Sequence, residues 1–385
     1  MKKICVVTGT RAEFGLLSPL LRKLSNDSAF ELQIVAGGMH LRYEFGFTVS
    51  EIEKAGFSIS KKVDFLLDSD TKSGLVKSTG LGMILFSEAF GDLQPDLVIV
   101  LGDRFEIFAA SFAAMAMCIP IAHIHGGEST FGLIDESIRH SVSKMSQLHF
   151  VSTEQYRQRL IRMGEDPRSV FNCGALGLDG LDEEQFLDKN QLEQELGFQF
   201  SQRAILVTFH PVSLESVERS LDVLQSLLAA LDSFPDINCI FTAPNAEAGG
   251  RQSISAIKNY VASHPGSIFV HSLGRTRYLS CLRLVEGVVG NSSSGIIEVP
   301  HFKIGTVNIG DRQAGRVRAA SVVDCGESTA EIAGAINTIL QPDFKASLKG
   351  LVNPYGSGGA SEQILAILKG SIDQIDLKKR FYDGE

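Results

Sequence analysis

The sequence predicts an α/β fold of two doubly wound parallel-sheet domains in series, and three observations carry that prediction. A short β-branched run, a polar or glycine-rich punctuation and a helical stretch alternate along the chain, which calls for parallel strands covered by helices on both faces. At 385 residues the chain exceeds what one hydrophobic core organises, so units of about 150 to 200 residues are expected. Around residues 176–203 the alternation lapses into a polar, acidic stretch, LDGLDEEQFLDKNQLEQEL, and then restarts. The expected division is a first domain over 1–178, a second over 179–360 and a terminal helix over 361–385.

In the first domain the strand candidates are 4–7, 32–35, 97–101, 119–124 and 148–151. After the first of them, Leu16, Leu17, Leu20, Leu21 and Leu24 fall on one helical face. The longest apolar stretch, 107–122, is interrupted by Ser111 and Pro120 and is shorter than a bilayer span, so a buried helix running into a strand is expected. In the second domain the candidates are 204–209, 239–241, 268–270, 285–289 and 304–308.

Composition narrows the class of function. A net charge of −9 argues against a general binder of nucleic acid or membrane surfaces, which carries a basic excess. The start, MKKICVVTGTRAEFG, lacks the apolar core of an export signal, so a cytoplasmic protein is expected. Six cysteines stand singly, without a CxxC pair, as expected of reduced, small hydrophobic residues.

Nearly every strand candidate ends in a chemically loaded loop: TGTR, AGGMH, LGDR, HIHGGE, TFHP, APNAE, GNSSSG and NIGDR. In open parallel sheets ligands bind beyond the carboxyl ends of strands, so these loops are expected to face one cleft. GNSSSGIIEVP, residues 290–300, suits a phosphate: Ser292, Ser293 and Ser294 offer hydroxyls and the helix start offers free N–H groups, although an ordinary helix cap reads the same way. Glu298, a turn further on, is either a solvated glutamate or a partner for ribose hydroxyls. Arg11, Arg104 and Arg312 follow strand ends, where bidentate guanidinium groups suit a diphosphate without a metal.

Acid and base groups crowd the first domain: Asp103 after Gly102, then His123, His125 and Glu128 in HIHGGE, then Asp135, Glu136, Arg139 and His140 in DESIRH. On a strand His123 and His125 point the same way, whereas Asp135 and Arg139, four apart on a helix, suit an ion pair. A metal site at HxHxxE is set aside, because its carboxylate count looks incidental. His210, at the end of the second domain's first strand, adds an imidazole. Carboxylates, histidines and arginines together fit proton transfer and leaving-group departure from a phosphorylated substrate.

At these residues the sequence resembles the hydrolysing UDP-N-acetylglucosamine 2-epimerases of sialic-acid and capsule biosynthesis. TGTRAEFG, VLGDRFE, HIHGGE, DESIRHSVSKMSQLHFVS, FHPVS, GNSSSGIIEVP, NIGDRQAGRVR and NPYG carry the resemblance in that order. It implies the glycosyltransferase-B type of fold, two Rossmann-like domains with the last helix returning to the first. It implies anti elimination of UDP through loss of the C2 proton, giving 2-acetamidoglucal, then hydration to N-acetylmannosamine. Carried over, Arg11, His210, Asn245, Ser292, Ser293, Glu298 and Arg312 hold UDP, with Arg104 and Arg139 as further substrate contacts. Leu273 and Tyr278 flank the uracil. Asp103, Glu128, Asp135 and His210 form the acid–base set, joined by His125, which stands where the animal enzymes have a glutamate. No cofactor or metal is implied, and a homodimer or homotetramer is.

Two other readings share the motifs. One is the same reaction on UDP-2,4-diacetamido-2,4,6-trideoxyglucose, of legionaminic acid synthesis. The other is a B-type glycosyltransferase, which requires an acceptor. A non-catalytic sensor of sugar nucleotides fits poorly, because binding alone needs no base.

Overall fold

The computed structural model describes residues 1–69, 71–131, 134–181, 186–200, 203–212, 215–244 and 249–384. The chain divides into one unit of residues 1–128, 135–180 and 355–385, and a second of residues 129–134 and 181–354.

The first unit alternates β1 (Lys2–Thr8), α1 (Arg11–Asn26), β2 (Phe30–Gly37), α2 (Val49–Lys54), β3 (Lys61–Val63), α3 (Lys72–Leu93) and β4 (Leu97–Leu101). It continues with α4 (Phe105–Ala116), β5 (Ile121–Ile124), α5 (Asp135–Met145), β6 (Leu148–Val151), α6 (Glu154–Arg162) and β7 (Val170–Asn172). Its seven strands are parallel in the order β3-β2-β1-β4-β5-β6-β7. Period-two alternation explains why both faces are apolar: Ile4 and Val6 of β1 pack towards α1, and Cys5 and Val7 towards α3 and α4.

The second unit runs α7 (Lys189–Leu196), β8 (Arg203–Thr208), α8 (Val217–Leu231), β9 (Ile237–Thr242), α9 (Gly250–Ser263), β10 (Ile268–Val270) and α10 (Gly274–Leu282). Then come β11 (Gly287–Gly290), α11 (Ser294–Ile297), β12 (Gly305–Ile309), β13 (Val322–Cys325), α12 (Thr329–Leu340) and α13 (Pro342–Ser347). Its six strands are parallel in the order β10-β9-β8-β11-β12-β13. Leu224, Leu227, Phe241, Val289 and Ile336 belong to its core.

α14 (Ala360–Ser371) packs Ile364 and Leu368 into the core beneath α1 of the first unit. The Asp179 carboxylate accepts from the Ala360 and Ser361 amides at 2.8 and 2.6 Å and so caps this helix from a distant part of the chain. Both sheets reverse strand order next to their first strand, between β1 and β4 and between β8 and β11, the points at which such sheets bind ligands. Among the described residues no helix is long and apolar enough to cross a membrane.

Candidate functional site

In the first unit the loop after β4 places Asp103 against Arg139 of α5. The Arg139 Nε donates to Asp103 Oδ2 at 2.9 Å, and Nη2 donates to the same oxygen. Its Nη1 donates to the Glu128 carbonyl at 3.0 Å and to Glu136 Oε2 at 2.6 Å. A fully buried guanidinium therefore ties together the loop after β4, the segment after β5 and the first turn of α5, with its planar fork fixing their orientation. Asp135, half-buried, opens the same helix.

The strand ends where expected, but the common orientation expected of His123 and His125 does not hold. β5 ends at Ile124 and His125 takes a left-handed backbone, with φ of 63°, so the two imidazoles do not follow strand alternation. His123 lies under the loop after β4, its Nε2 donating to the Gly102 carbonyl at 2.7 Å while Nδ1 meets Ser143 Oγ at 3.0 Å. Burial pushes its pKa down to about 3, so the ring is neutral. His125 Nε2 accepts from the Leu176 amide at 3.4 Å, which leaves the proton on Nδ1, 3.5 Å from Glu128 Oε1. Glu128 Oε1 also accepts from Ser152 Oγ at 2.9 Å. The paired glycines are needed for this packing: a Cβ on Gly126 would sit 2.8 Å from Ser143 Oγ, and one on Gly127, whose φ is 74°, 2.7 Å from the Tyr156 carbonyl.

A second carboxylate cluster lies where β1 and β4 diverge. Arg104 donates from Nε and Nη2 to the two oxygens of Glu106, both at 3.2 Å, and its Nε is 3.9 Å from Glu13 Oε1. Burial opposes the Arg104 charge, but Glu106 and Glu13 outweigh it and hold its pKa above the usual arginine value. Glu13 accepts from the Gly9 amide at 2.7 Å, while its other oxygen accepts no hydrogen bond among the described residues. Burial first, and then the Glu106 charge, push the Glu13 carboxyl up to about 8. Sequence reasoning missed Glu13 and Glu106; the available signal was the Thr10-x-x-Glu13 spacing, since Thr10 does cap α1 by accepting from the Glu13 amide. Arg11 pairs with Glu51 of α2 at 2.9 Å.

In the second unit the loops after β8 and β11 are stapled together by Asn291. Its Oδ1 accepts from the His210 amide at 2.7 Å and its Nδ2 donates to the His210 carbonyl at 2.8 Å. The Asn291 carbonyl accepts from Arg312 Nη1 at 3.2 Å and from Gln313 Nε2 at 3.0 Å, which brings the second GDR triplet to GNSSSG. Burial, and then the Arg312 charge, hold the His210 pKa well below the usual imidazole value, so this ring is a neutral group at neutral pH.

The helix-start part of the phosphate reading needs correction. α11 spans four residues and runs on into a tighter turn over Val299–Phe302, and Ser293, at its N-cap, makes no side-chain capping bond. What remains is three half-buried hydroxyls, Ser292, Ser293 and Ser294, beside Arg312. Tyr278 of α10 bonds Ser294 through its hydroxyl, Leu273 is buried at the N-cap of the same helix, and burial raises the Glu298 carboxyl above its usual range against the opposing effects of Ser294, Arg275 and Arg316. Asn245 lies outside the described residues. Among the described residues no group of three or more His, Cys, Asp or Glu stands together as a metal site.

Two doubly wound parallel-sheet units in series, with candidate groups beyond the strand ends of each, make this an α/β protein of glycosyltransferase-B-like fold. The chain belongs to the UDP-N-acetylglucosamine 2-epimerase family, whose sequence model matches residues 22–369. It is 44% identical over 325 residues to the GDP/UDP-N,N'-diacetylbacillosamine 2-epimerase (hydrolysing) of Campylobacter jejuni, covering 84% of each chain. It is 38% identical over 385 residues to polysialic acid biosynthesis protein P7 of Escherichia coli, covering 100% of this chain and 98% of that one. The crystal structure of the Neisseria meningitidis UDP-GlcNAc 2-epimerase bound to UDP-GlcNAc has the same fold, with a TM-score of 0.82, 20% identity and coverage of 96% of this chain and 100% of that one.

Proposed function

We propose that this protein is a hydrolysing 2-epimerase that converts UDP-N-acetylglucosamine and water to N-acetylmannosamine and UDP. The family description names that nucleotide sugar, and the relative from C. jejuni carries the hydrolysing activity in its name. The observation that carries the reading is the buried Arg139, which orients the Asp103 carboxylate and also holds the Glu128 carbonyl, the Glu128 carboxylate lying 3.5 Å from His125 Nδ1. Such a set of oriented proton-exchanging groups serves chemistry rather than binding.

The C2 hydrogen of the sugar is weakly acidic, so its removal has to be coupled to departure of UDP. A base drawn from Asp103, Glu128 and Asp135 takes the C2 proton, and the C–H electrons become the C1–C2 double bond. The C1–O bond breaks and UDP leaves with its electron pair, giving 2-acetamidoglucal. Water then adds, its oxygen to C1, while a proton reaches C2 from the face opposite the one it left. His125, with its proton towards Glu128, and neutral His210 complete the acid–base set. Arg11, Arg312, Ser292, Ser293 and Asn245 are the proposed diphosphate and nucleotide contacts, with Glu298 at the ribose and Leu273 and Tyr278 at the uracil. Arg104 and Arg139 serve the substrate through the carboxylates they orient.

A second substrate is favoured by the 44% identity to the diacetylbacillosamine enzyme: the UDP-linked 2,4-diacetamido-trideoxy sugar, which the same elimination would process. A cytoplasmic location fits activated nucleotide sugars as substrate. A homodimer or homotetramer fits the exposed Val76 and Ile84 of α3 and Phe112 and Met115 of α4. UDP release measured with each sugar nucleotide, and no acceptor, tests the reading. Release from UDP-N-acetylglucosamine is expected; release from the diacetamido sugar alone selects the second substrate, and release only after an acceptor is added makes the protein a glycosyltransferase.

A further inference from the structure

α5 carries Arg139 at its centre, and a residue far along the chain holds its C-terminal end. Lys379, in the irregular segment that follows α14, donates from Nζ to the carbonyls of Ser143, Lys144 and Ser146 at 3.2, 3.0 and 2.6 Å. An ammonium in that position shares the Ser143 carbonyl with the Ser146 amide, adds a donor to the Lys144 and Ser146 carbonyls at the helix end, and opposes the negative end of the helix dipole. Lys379 is itself fixed by Glu165, whose Oε2 lies 2.5 Å from Nζ. Glu165 is fully buried and also meets His149 Nε2 at 2.9 Å and Lys144 Nζ at 2.7 Å. Nearby, the Tyr382 amide donates to the Gly164 carbonyl at 2.9 Å, so the segment is pinned at two points though most of it is exposed.

The contacts continue inward. Ser143, whose carbonyl Lys379 holds, meets His123 Nδ1 through its hydroxyl, and His123 Nε2 donates to the carbonyl of Gly102, the residue before Asp103. Arg139 reaches Asp103 from the same helix one turn earlier. Two routes thus run from the Lys379 ammonium to the loop that carries Asp103, one through Ser143 and His123 and one along the helix to Arg139.

We infer that Lys379 is a positioning residue for the acid–base set: by clamping the end of α5 it fixes Ser143 and Arg139, and through them the Asp103 loop. The inference rests on the proposed role of Asp103; turnover by the unaltered enzyme tests the reaction, and its loss in Asp103→Asn tests that role, before any Lys379 variant is compared. Lys379→Met removes the clamp, Lys379→Arg keeps a cation there, and Lys378→Met removes an exposed neighbouring charge as control. A carboxylate displaced by a fraction of an ångström costs turnover, so Lys379→Met is expected to lower kcat about tenfold. KM should move by less than about twofold, since the contacts to UDP are untouched. Lys379→Arg should recover most of kcat, and Lys378→Met should match the unaltered enzyme. Wild-type kcat in Lys379→Met, or an equal loss in Lys378→Met, overturns the inference. Amide hydrogen exchange supplies a readout independent of turnover: exchange over residues 102–104 and 143–147 is expected to quicken in Lys379→Met, and unchanged rates there overturn the inference even if the enzyme acts on neither sugar nucleotide.

Discussion

Replacing Arg139 by Met tests the tie at the centre of the candidate site. Methionine is apolar and of comparable length, so the cavity left is small and the loss is mainly electrostatic. The guanidinium is 1% exposed and holds Asp103, Glu136 and the Glu128 carbonyl, and its removal leaves two carboxylates, 22% and 23% exposed, without that cation between them. Breaking a buried ion pair from one side costs about 3–5 kcal/mol, and because both carboxylates regain some water the lower end, about 3 kcal/mol, is expected. For a unit of this size that corresponds to a fall in melting temperature of about 6–12 °C. Thermal unfolding followed by circular dichroism at pH 7 reads the shift. The deficit should shrink as the pH falls towards about 4, where the abandoned carboxylates take up protons. A melting temperature within about 2 °C of the unaltered protein, or a deficit independent of pH, would refute the reasoning.

Asp103→Asn keeps the shape of the loop but removes the proton-exchanging group, so kcat should fall at least about 100-fold while calorimetry finds UDP affinity little changed. Burial holds the Glu13 carboxyl at about 8, so between its ordinary value of 4.5 and 8 the folded chain keeps a proton that the unfolded chain releases, and stability falls as pH rises through that window. Glu13→Gln should flatten that fall in urea midpoints measured from pH 5 to pH 8; an unchanged slope counts against the buried carboxyl pair. At Gly290, where φ is 145°, an added Cβ would lie 1.9 Å from the Thr208 carbonyl, so β8 and β11 cannot keep their register. Gly290→Ala should cost more than about 3 kcal/mol in thermal unfolding and abolish UDP binding; normal binding would show that the two loops are not stapled as described.

The parallel architecture was legible because buried strands are written as apolar runs. The expected strands 97–101 and 148–151 coincide with β4 and β6. The strands that escaped notice, β3, β7 and β13, are edge strands of three or four residues with charged or polar members, KKV, VFN and VVDC, and carry little apolar signal. In the site, strand-end placement of Asp103, Glu128, His210 and Arg312 followed from the same pattern. The posture of His125 did not, since a left-handed turn one residue beyond β5 has no periodicity to read. Glu106 looks like an ordinary first-turn helix residue; it is buried because Gly9 and Gly38, from two other loops, close over it. Lys379 was silent for a related reason: the three carbonyls it holds lie more than 230 residues earlier in the chain.

Solvent isotope uptake tests the central claim most directly. When UDP-N-acetylglucosamine is turned over in deuterium oxide, elimination and rehydration must place one deuterium on C2 of the N-acetylmannosamine, visible as loss of the C2 proton resonance. N-acetylmannosamine formed with its original C2 hydrogen retained would contradict proton removal by the first unit and the mechanism built on it.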